Sequence, residues 1–241
     1  VCFIFAGKAH PADRPGQDIL RRIVQWSQTP EFAGRIFFVE NYQMEIAKHL
    51  VQGVDVWLNT PIKPMEASGT SGQKSGINGV LNCSILDGWW NEGYNGKNGW
   101  AIEGEGHPKE QDGQDEADSL SLYRLLEEQI IPSFYAREKG IPIQWVSMMK
   151  ESIRTLTPVF STCCMVSEYW AKLYIPVAIR GKRFVENGLE VAERVAVYKQ
   201  FIRHNWKHVR VDRIDLPGQG DCQAVIHLGP IWYQDVRVEA V

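Results

Sequence analysis

Short apolar runs alternate with helical periods along the first part of the chain. The runs VCFIFA, RIFFVE, VDVWLN and LNCSIL predict four β-strands, because each is a short and mainly apolar run. Helices are predicted between them, from Gln17 to Gln28, in QMEIAKHLVQG with a glycine stop at Gly53, and from Thr70 to Gly79. Repeated β-α-β units of this kind predict an α/β fold with a parallel, Rossmann-like sheet.

The rest of the chain has mainly helical patterns and ends in a β pattern. A polar, acidic stretch from Glu103 to Asp118 predicts a mobile surface loop in which His107 is solvated. The final residues alternate with period 2 around PGQG and LGP, which predicts a small β appendage. We therefore expect a lobe with a helical extension at 1–206 and a partial β appendage at 207–241. Helical periods cover 119–135, 143–156, 161–174 and 189–206.

Both ends of the sequence fall inside predicted strands. The stretch VCFIFAGKAHP opens within a buried strand, and DVRVEAV stops within an alternating one. Domain boundaries normally fall in exposed linkers, so we expect the chain to be a fragment of a longer protein whose sheet and β appendage are truncated here.

Composition narrows the class of protein. With 26 basic and 29 acidic residues the net charge is −3, and no Lys/Arg cluster provides the positive surface typical of nucleic-acid binding. No apolar run reaches the roughly 20 residues that span a bilayer, so no membrane partner is expected. The cysteines have neither CxxC nor metal-ligand spacing, which predicts no metal site and buried, reduced thiols of a cytoplasmic protein. They are Cys2, Cys83, Cys163, Cys164 and Cys222.

The most informative chemistry lies in the segment EASGTSGQKSGINGVLNCSILDGWW, which begins at Glu66. Its glycines place bare backbone N–H groups at the start of a short helix, where the helix dipole favours an anion such as a phosphate. Hydroxyl donors add to this pattern, and Lys74 lies about one turn further along. A phosphate beside one amine suits pyridoxal phosphate. The glycines are Gly69, Gly72, Gly76 and Gly79, and the hydroxyls belong to Thr70, Ser71 and Ser75.

Two other interpretations of this segment remain open from spacing alone. Lys74 and Ser75 reproduce the end of a nucleotide P-loop, but Gln73 and Ser68 stand where that motif requires glycine. A glycine-rich connector with a solvated lysine is the second interpretation, since such turns are common.

Three further features are possible parts of a functional site, and each also has an ordinary structural explanation. Lys8 in GKAHP either approaches a phosphate or supports the site from outside it, whereas His10 is expected to be a turn residue. Trp89 and Trp90 either stack on sugar faces or pack in the core.

The motif EASGTSGQK…NGVLN…DGWW resembles the cofactor segment of the α-glucan phosphorylases, the glycogen, starch and maltodextrin phosphorylases. The resemblance continues through FAGKAHP, FVENYQMEIAKHLVQGVDVWLNTP and WVSMMKESIRTLTPVFSTCCMVSEYW, and so covers nearly the whole chain. The forms DGWW and MMKESIRTL are most similar to the bacterial and archaeal branch of that family.

This resemblance implies a two-lobed GT-B glycosyltransferase, of which the chain is most of the C-terminal lobe. The implied reaction is phosphorolysis of α-1,4-glucan by inorganic phosphate to α-glucose 1-phosphate, with the cofactor phosphate moving protons. Without the N-terminal lobe, the isolated chain is expected to be inactive. Lys74 is implied to hold pyridoxal phosphate, with Thr70, Ser71 and Gly72 at its phosphate and Tyr42 nearby. Glu66, Ser68, Gly69 and Lys8 are implied on the substrate side.

The sequence also departs from the family pattern. Gln73 precedes Lys74 where relatives often have Met, and Gln43 follows Tyr42 where some have Arg. Two alternatives therefore stay in view: a nucleotide-sugar-dependent GT-B transferase similar to glycogen synthase, and a non-catalytic glucan-binding module. A homo-oligomer is compatible with each of these.

Overall fold

The computed structural model describes residues 1–104, 111–215 and 222–239. The chain divides into two units, Val1–Cys164 and Met165–Val241. The boundary near residue 206 that the sequence suggests stays a prediction, because the contacts that define the units do not test it. The predicted PGQG turn and His107 lie outside the described residues.

Among the described residues of the first unit, five parallel strands form two sheets. One sheet pairs β1 (Phe3–Ala6) with β2 (Ile36–Val39) in parallel. The other has β4 (Leu81–Ile85) in the centre, with β3 (Val56–Asn59) on one side and β5 (Gly99–Ile102) on the other. The four predicted strands are confirmed, and the fold is α/β with parallel sheets. Strand β5 was not predicted, because its short GWAI run begins with glycine.

Helices join these strands and continue into the second unit. The first helix begins where the Asp13 carboxylate accepts a hydrogen bond from the Gly16 N–H at 3.0 Å, which caps the first turn. The helices are α1 (Arg14–Ser27), α2 (Met44–Gly53), α3 (Thr70–Ile77), α4 (Trp90–Gly93), α5 (Gln111–Leu125), α6 (Ile131–Tyr135), α7 (Ile143–Phe160), α8 (Thr162–Tyr169), α9 (Ile175–Val185) and α10 (Glu190–Asn205). π-Helical turns connect α5 to α6 and α8 to α9. No helix within the described ranges is long and apolar enough to cross a membrane.

Part of the predicted surface loop is helical, which corrects the sequence analysis. Helix α5 begins at Gln111, within the stretch that was expected to be a loop as far as Asp118. Acidic residues early in a helix are stabilised by its dipole, so an acid-rich, polar segment is compatible with a helix N-terminus. The Asp118 carboxylate accepts hydrogen bonds from Gly104 N–H at 3.1 Å and from Gln114 Nε2 at 2.9 Å, and so ties α5 to the end of β5.

The second unit contains the expected β appendage in part. Strands β6 (Arg210–Asp215) and β7 (Gln223–His227) pair antiparallel. The expected strand in DVRVEAV was wrong for its described residues, because 236–239 form no strand. Helix α9 was also missed, since Pro176 and Gly181 interrupt its apolar pattern, although proline is tolerated in the first turn of a helix.

The core of the first unit surrounds β4, all five residues of which are buried. Cys83 lies in this core, so the expectation of a buried thiol is confirmed there. The same expectation was wrong for the other cysteines: Cys2, Cys163 and Cys222 are exposed and Cys164 is partly exposed, all as free thiols.

The burial of Cys83 gives a pH-dependent stability that can be measured. Burial raises the pKa of the thiol from 9.0 to about 12, so the unfolded chain loses this proton at lower pH than the folded chain. Stability therefore falls as pH rises from 9 toward 12. We expect the stability advantage of wild type over Cys83→Ala to shrink by about 1 kcal/mol between roughly pH 8 and 10, measured by urea unfolding. An advantage that is equal at both pH values contradicts this prediction.

Candidate functional site

The predicted glycine-rich turn leads directly into α3. Gly69 adopts the left-handed conformation, with φ 85° and ψ 46°, and the helix begins at Thr70. A left-handed position favours glycine because a side chain there clashes with the backbone. No side chain in the described part of the chain caps this helix, so the N–H groups of its first turn are available to an anion.

The turn before α3 is held in place by the loop after β4. The Asp87 carboxylate accepts a hydrogen bond from the Glu66 N–H at 2.9 Å, and the Trp89 N–H donates to the Ser68 carbonyl at 2.8 Å. Gly88 packs so closely that an added Cβ would lie 2.7 Å from the Ser68 carbonyl oxygen. These contacts fix the turn, and the sequence analysis missed the part that Asp87 plays in them.

Buried side chains pack so closely against one face of α3 that only glycine fits at two positions of the helix. A Cβ added at Gly72 would lie 2.8 Å from Asn82 Oδ1 and 2.9 Å from Trp89 Nε1. At the next turn of the helix, a Cβ at Gly76 would lie 2.7 Å from Leu156 Cδ1. Asn82 itself is fully buried, and its Oδ1 and Nδ2 atoms have no hydrogen-bond partner among the described residues. Sequence reasoning missed this asparagine, since a polar residue inside an apolar strand carries no motif.

The predicted polar groups of α3 divide between its two faces. The side chains of Thr70 and Lys74 are exposed, and Lys74 forms no ion pair within the part of the chain that is described. Ser71 is partly exposed. Ser75 corrects the sequence analysis: its hydroxyl is buried and donates to the Gly72 carbonyl at 2.8 Å, so it faces away from any anion at the helix start.

Lys8 and Tyr42 lie after the ends of β1 and β2, respectively. Because these strands are parallel, both residues are at the carboxyl edge of their sheet, where ligands bind in open α/β folds. No described hydrogen bond, ion pair or ring contact joins either of them to α3. His10 is a turn residue, as predicted: its Nδ1 accepts a hydrogen bond from the Ala12 N–H at 3.1 Å.

The tryptophan pair belongs to the core. Trp89 and Trp90 are buried, with their ring centroids 4.9 Å apart. Trp89 meets Phe160 edge to face, and the Trp90 indole N–H donates to the Trp100 carbonyl at 3.0 Å. Sugar stacking on these rings, one of the two alternatives left open by the sequence, was therefore wrong for this structure.

Comparison with known proteins defines the family. A family model described as carbohydrate phosphorylase matches residues 1–92. Over 99% of the present chain, the sequence is 43% identical to the maltodextrin phosphorylase of Thermococcus litoralis. Over 72% of the chain, it is 52% identical to the glycogen phosphorylase of Aquifex aeolicus. Over 99% of the chain, it is 37% identical to the glycogen phosphorylase of Mycobacterium bovis.

The chain therefore belongs to the carbohydrate phosphorylase family, which confirms the resemblance found in the motifs. It spans 28%, 25% and 29% of the lengths of those three relatives, respectively.

The contact at Gly72 can be tested by adding one methyl group. In Gly72→Ala the new Cβ meets a buried asparagine and a buried indole, so we expect a loss of about 1 to 3 kcal/mol in the free energy of unfolding. The matched control is Gly53→Ala at the end of α2, where a Cβ would meet nothing within 4 Å. The control should be neutral or slightly stabilising in the same urea titration. Equal effects of the two substitutions contradict the close approach of α3 to β4.

Proposed function

We propose that this chain is the cofactor-binding part of an α-glucan phosphorylase, with pyridoxal phosphate at the start of α3 and Lys74 as its covalent anchor. The observation that carries the proposal is the uncapped, left-handed start of α3 at Gly69, with an exposed lysine about one turn further along. The printed names of the relatives, maltodextrin and glycogen phosphorylase, support the reaction class.

The residues at this position fit such a group. Gly69 turns the chain into α3 in a left-handed conformation, and no side chain of the described residues caps the first-turn N–H groups. A neutral apolar ligand would use none of these groups, whereas a phosphate ester with an aldehyde uses both the turn and the amine.

Each residue has a defined task in this proposal. The N–H groups of Thr70, Ser71 and Gly72, with the two hydroxyls, would hold the phosphate of the cofactor, and Tyr42 would lie beside the ring. The Lys74 amine would fix the position of the group through a covalent bond. When bound, the cofactor supplies a phosphate whose second pKa is near about 6, so it can give and recover a proton at neutral pH.

The substrate side of the site is proposed from the turn that precedes α3. Asp87 and Trp89 hold the backbone of this turn, so Glu66 and Ser68 are presented on a fixed support. The Glu66 carboxylate would accept hydrogen bonds from hydroxyls of the terminal glucosyl unit, and Ser68 and Gly69 would contact the same sugar. Lys8, at the carboxyl edge of its sheet, would face inorganic phosphate. The substrates proposed for the whole protein are α-1,4-glucan and inorganic phosphate.

The remaining part of the catalytic cleft is proposed to lie outside this chain. Relatives about 3.5 times as long as the aligned region support this, since the chain spans 28% of the Thermococcus litoralis protein. We propose that the chain is most of the C-terminal lobe of a GT-B architecture in the cytoplasm, and that it releases no α-glucose 1-phosphate by itself.

Covalent labelling tests the assignment of Lys74. We expect the chain, incubated with limiting pyridoxal phosphate and then sodium borohydride, to carry a phosphopyridoxyl group on Lys74, identified by peptide mass mapping. Lys74→Arg should lose this label because a guanidinium does not form the bond, whereas Lys48→Arg, an exposed lysine on α2, should keep it. Pyridoxal without the phosphate should label Lys74 at least about tenfold less, because each contact at the turn is made to the phosphate.

Three labelling results would contradict the proposed site. Labelling that is spread evenly over the exposed lysines, or that is as strong with pyridoxal as with pyridoxal phosphate, contradicts a phosphate site at α3. Labelling that is absent from Lys74 but present at Lys48 contradicts the anchor itself.

A further inference from the structure

The motif MMKESIRTL lies in α7 and packs against the C-terminal end of α3. A Cβ added at Gly76 would lie 2.7 Å from Leu156 Cδ1. A Cβ added at Gly79 would lie 3.3 Å from Ile153 Cδ1 and 3.4 Å from Met149 Cε. Because positions i, i+4 and i+7 share one face of a helix, a single face of α7 meets the end of α3.

Helix α3 is too short to hold its own position. It has eight residues, and helices of this length are unstable in water by themselves, so α3 depends on contacts at its two ends. The turn before it is held by the loop after β4. Lys74 belongs to the last turn, so contacts at the C-terminal end decide whether this lysine stays in helical register with the first turn.

A glycine stop satisfies carbonyl groups of this last turn. Gly79 adopts a left-handed conformation with φ 83°, and its N–H donates to the Gly76 carbonyl at 3.1 Å. The Val80 N–H donates to the Ser75 carbonyl at 3.1 Å, which completes a Schellman motif. These contacts come from the chain directly after the helix, and α7 adds one from a distant part of the sequence.

The contact from α7 is a buried hydrogen bond of Ser152. Its hydroxyl donates to the Gly76 carbonyl at 3.2 Å, and the whole residue is buried. A serine or threonine inside a helix can instead donate to the carbonyl four residues earlier in its own helix. Thr155 does this, since its hydroxyl donates to the Glu151 carbonyl at 2.8 Å. The Ser152 hydroxyl therefore joins α7 to the last turn of α3, across 76 residues of sequence.

We propose that Ser152 is a positioning residue for Lys74, because its hydrogen bond keeps the last turn of α3 helical and so fixes the lysine relative to the first-turn N–H groups. This role, which rests on the proposed function, requires that the phosphate and the aldehyde of one ligand are bound about one turn apart on α3. Helix ends fray readily, and fraying of the last turn would separate the two binding groups. Ser152 acts through the helix and touches neither group of the ligand.

Labelling of two matched variants tests this role. Ser152→Ala and Thr155→Val each remove one hydroxyl from α7, but the described contacts of the Thr155 hydroxyl are to Glu151 and Asn98, away from α3. Each protein is labelled with limiting pyridoxal phosphate or pyridoxal, reduced with borohydride and mapped by mass. In Ser152→Ala, the preference of Lys74 for pyridoxal phosphate over pyridoxal should fall at least about threefold, the effect of losing one hydrogen bond. Thr155→Val should keep the preference of the wild type.

Amide hydrogen exchange without cofactor provides an independent readout. The Asn78 and Val80 N–H groups both donate to the Ser75 carbonyl at the end of α3. In Ser152→Ala, both amides should exchange at least about threefold faster, because the last turn opens more often. In Thr155→Val they should exchange at the wild-type rate.

Three results overturn the role of Ser152: a wild-type labelling preference in Ser152→Ala, an equal loss of preference in Thr155→Val, or unchanged exchange in Ser152→Ala. Faster exchange with an unchanged preference means that the hydroxyl only stabilises the helix. If the wild type itself has no phosphate preference at Lys74, the proposed function fails together with this role. That failure is recognised in the unmodified chain, before any variant is compared.

Discussion

The close approach of α3 to the layer below it is the constraint on which the candidate site depends. Gly72 lies against Asn82 and Trp89, and Gly76 lies against Leu156, at distances that leave no room for a side chain. Because the buried face of the helix is fixed in this way, its other face must present Thr70 and Lys74 to solvent. A lysine placed by a packed helix has a defined position, which a lysine on a free loop does not have.

The same constraint links the core to the turn that precedes the helix. Trp89 packs under Gly72 in the core, and its backbone N–H holds the Ser68 carbonyl. Asp87, two residues earlier, holds the Glu66 N–H. One loop after β4 therefore supports both the proposed phosphate turn and the proposed sugar-binding residues. Family membership and the geometry of α3 are consistent with each other.

Sequence reasoning predicted the features that local pattern determines. Four strands, the glycine-rich turn and the short helix after it follow from apolar runs and glycine positions, and the structure has all of them. Features that depend on distant contacts were not predictable in this way. Asp87 acts through a backbone group 21 residues away, and the burial of Ser75 depends on the layer below α3. The start of α5 was missed because an acidic, polar segment has the same composition in a loop and at a helix N-terminus.

We propose that the first turn of α3 binds the phosphate of pyridoxal phosphate through its backbone N–H groups. Two-dimensional ¹H–¹⁵N NMR of the chain during titration with the cofactor tests it most directly. We expect the largest amide shifts at Thr70, Ser71 and Gly72, and we expect inorganic phosphate at higher concentration to shift the same amides in the same direction. Cofactor binding that leaves these three amides unchanged, or that shifts mainly residues outside α3 and its preceding turn, contradicts a phosphate site at this helix.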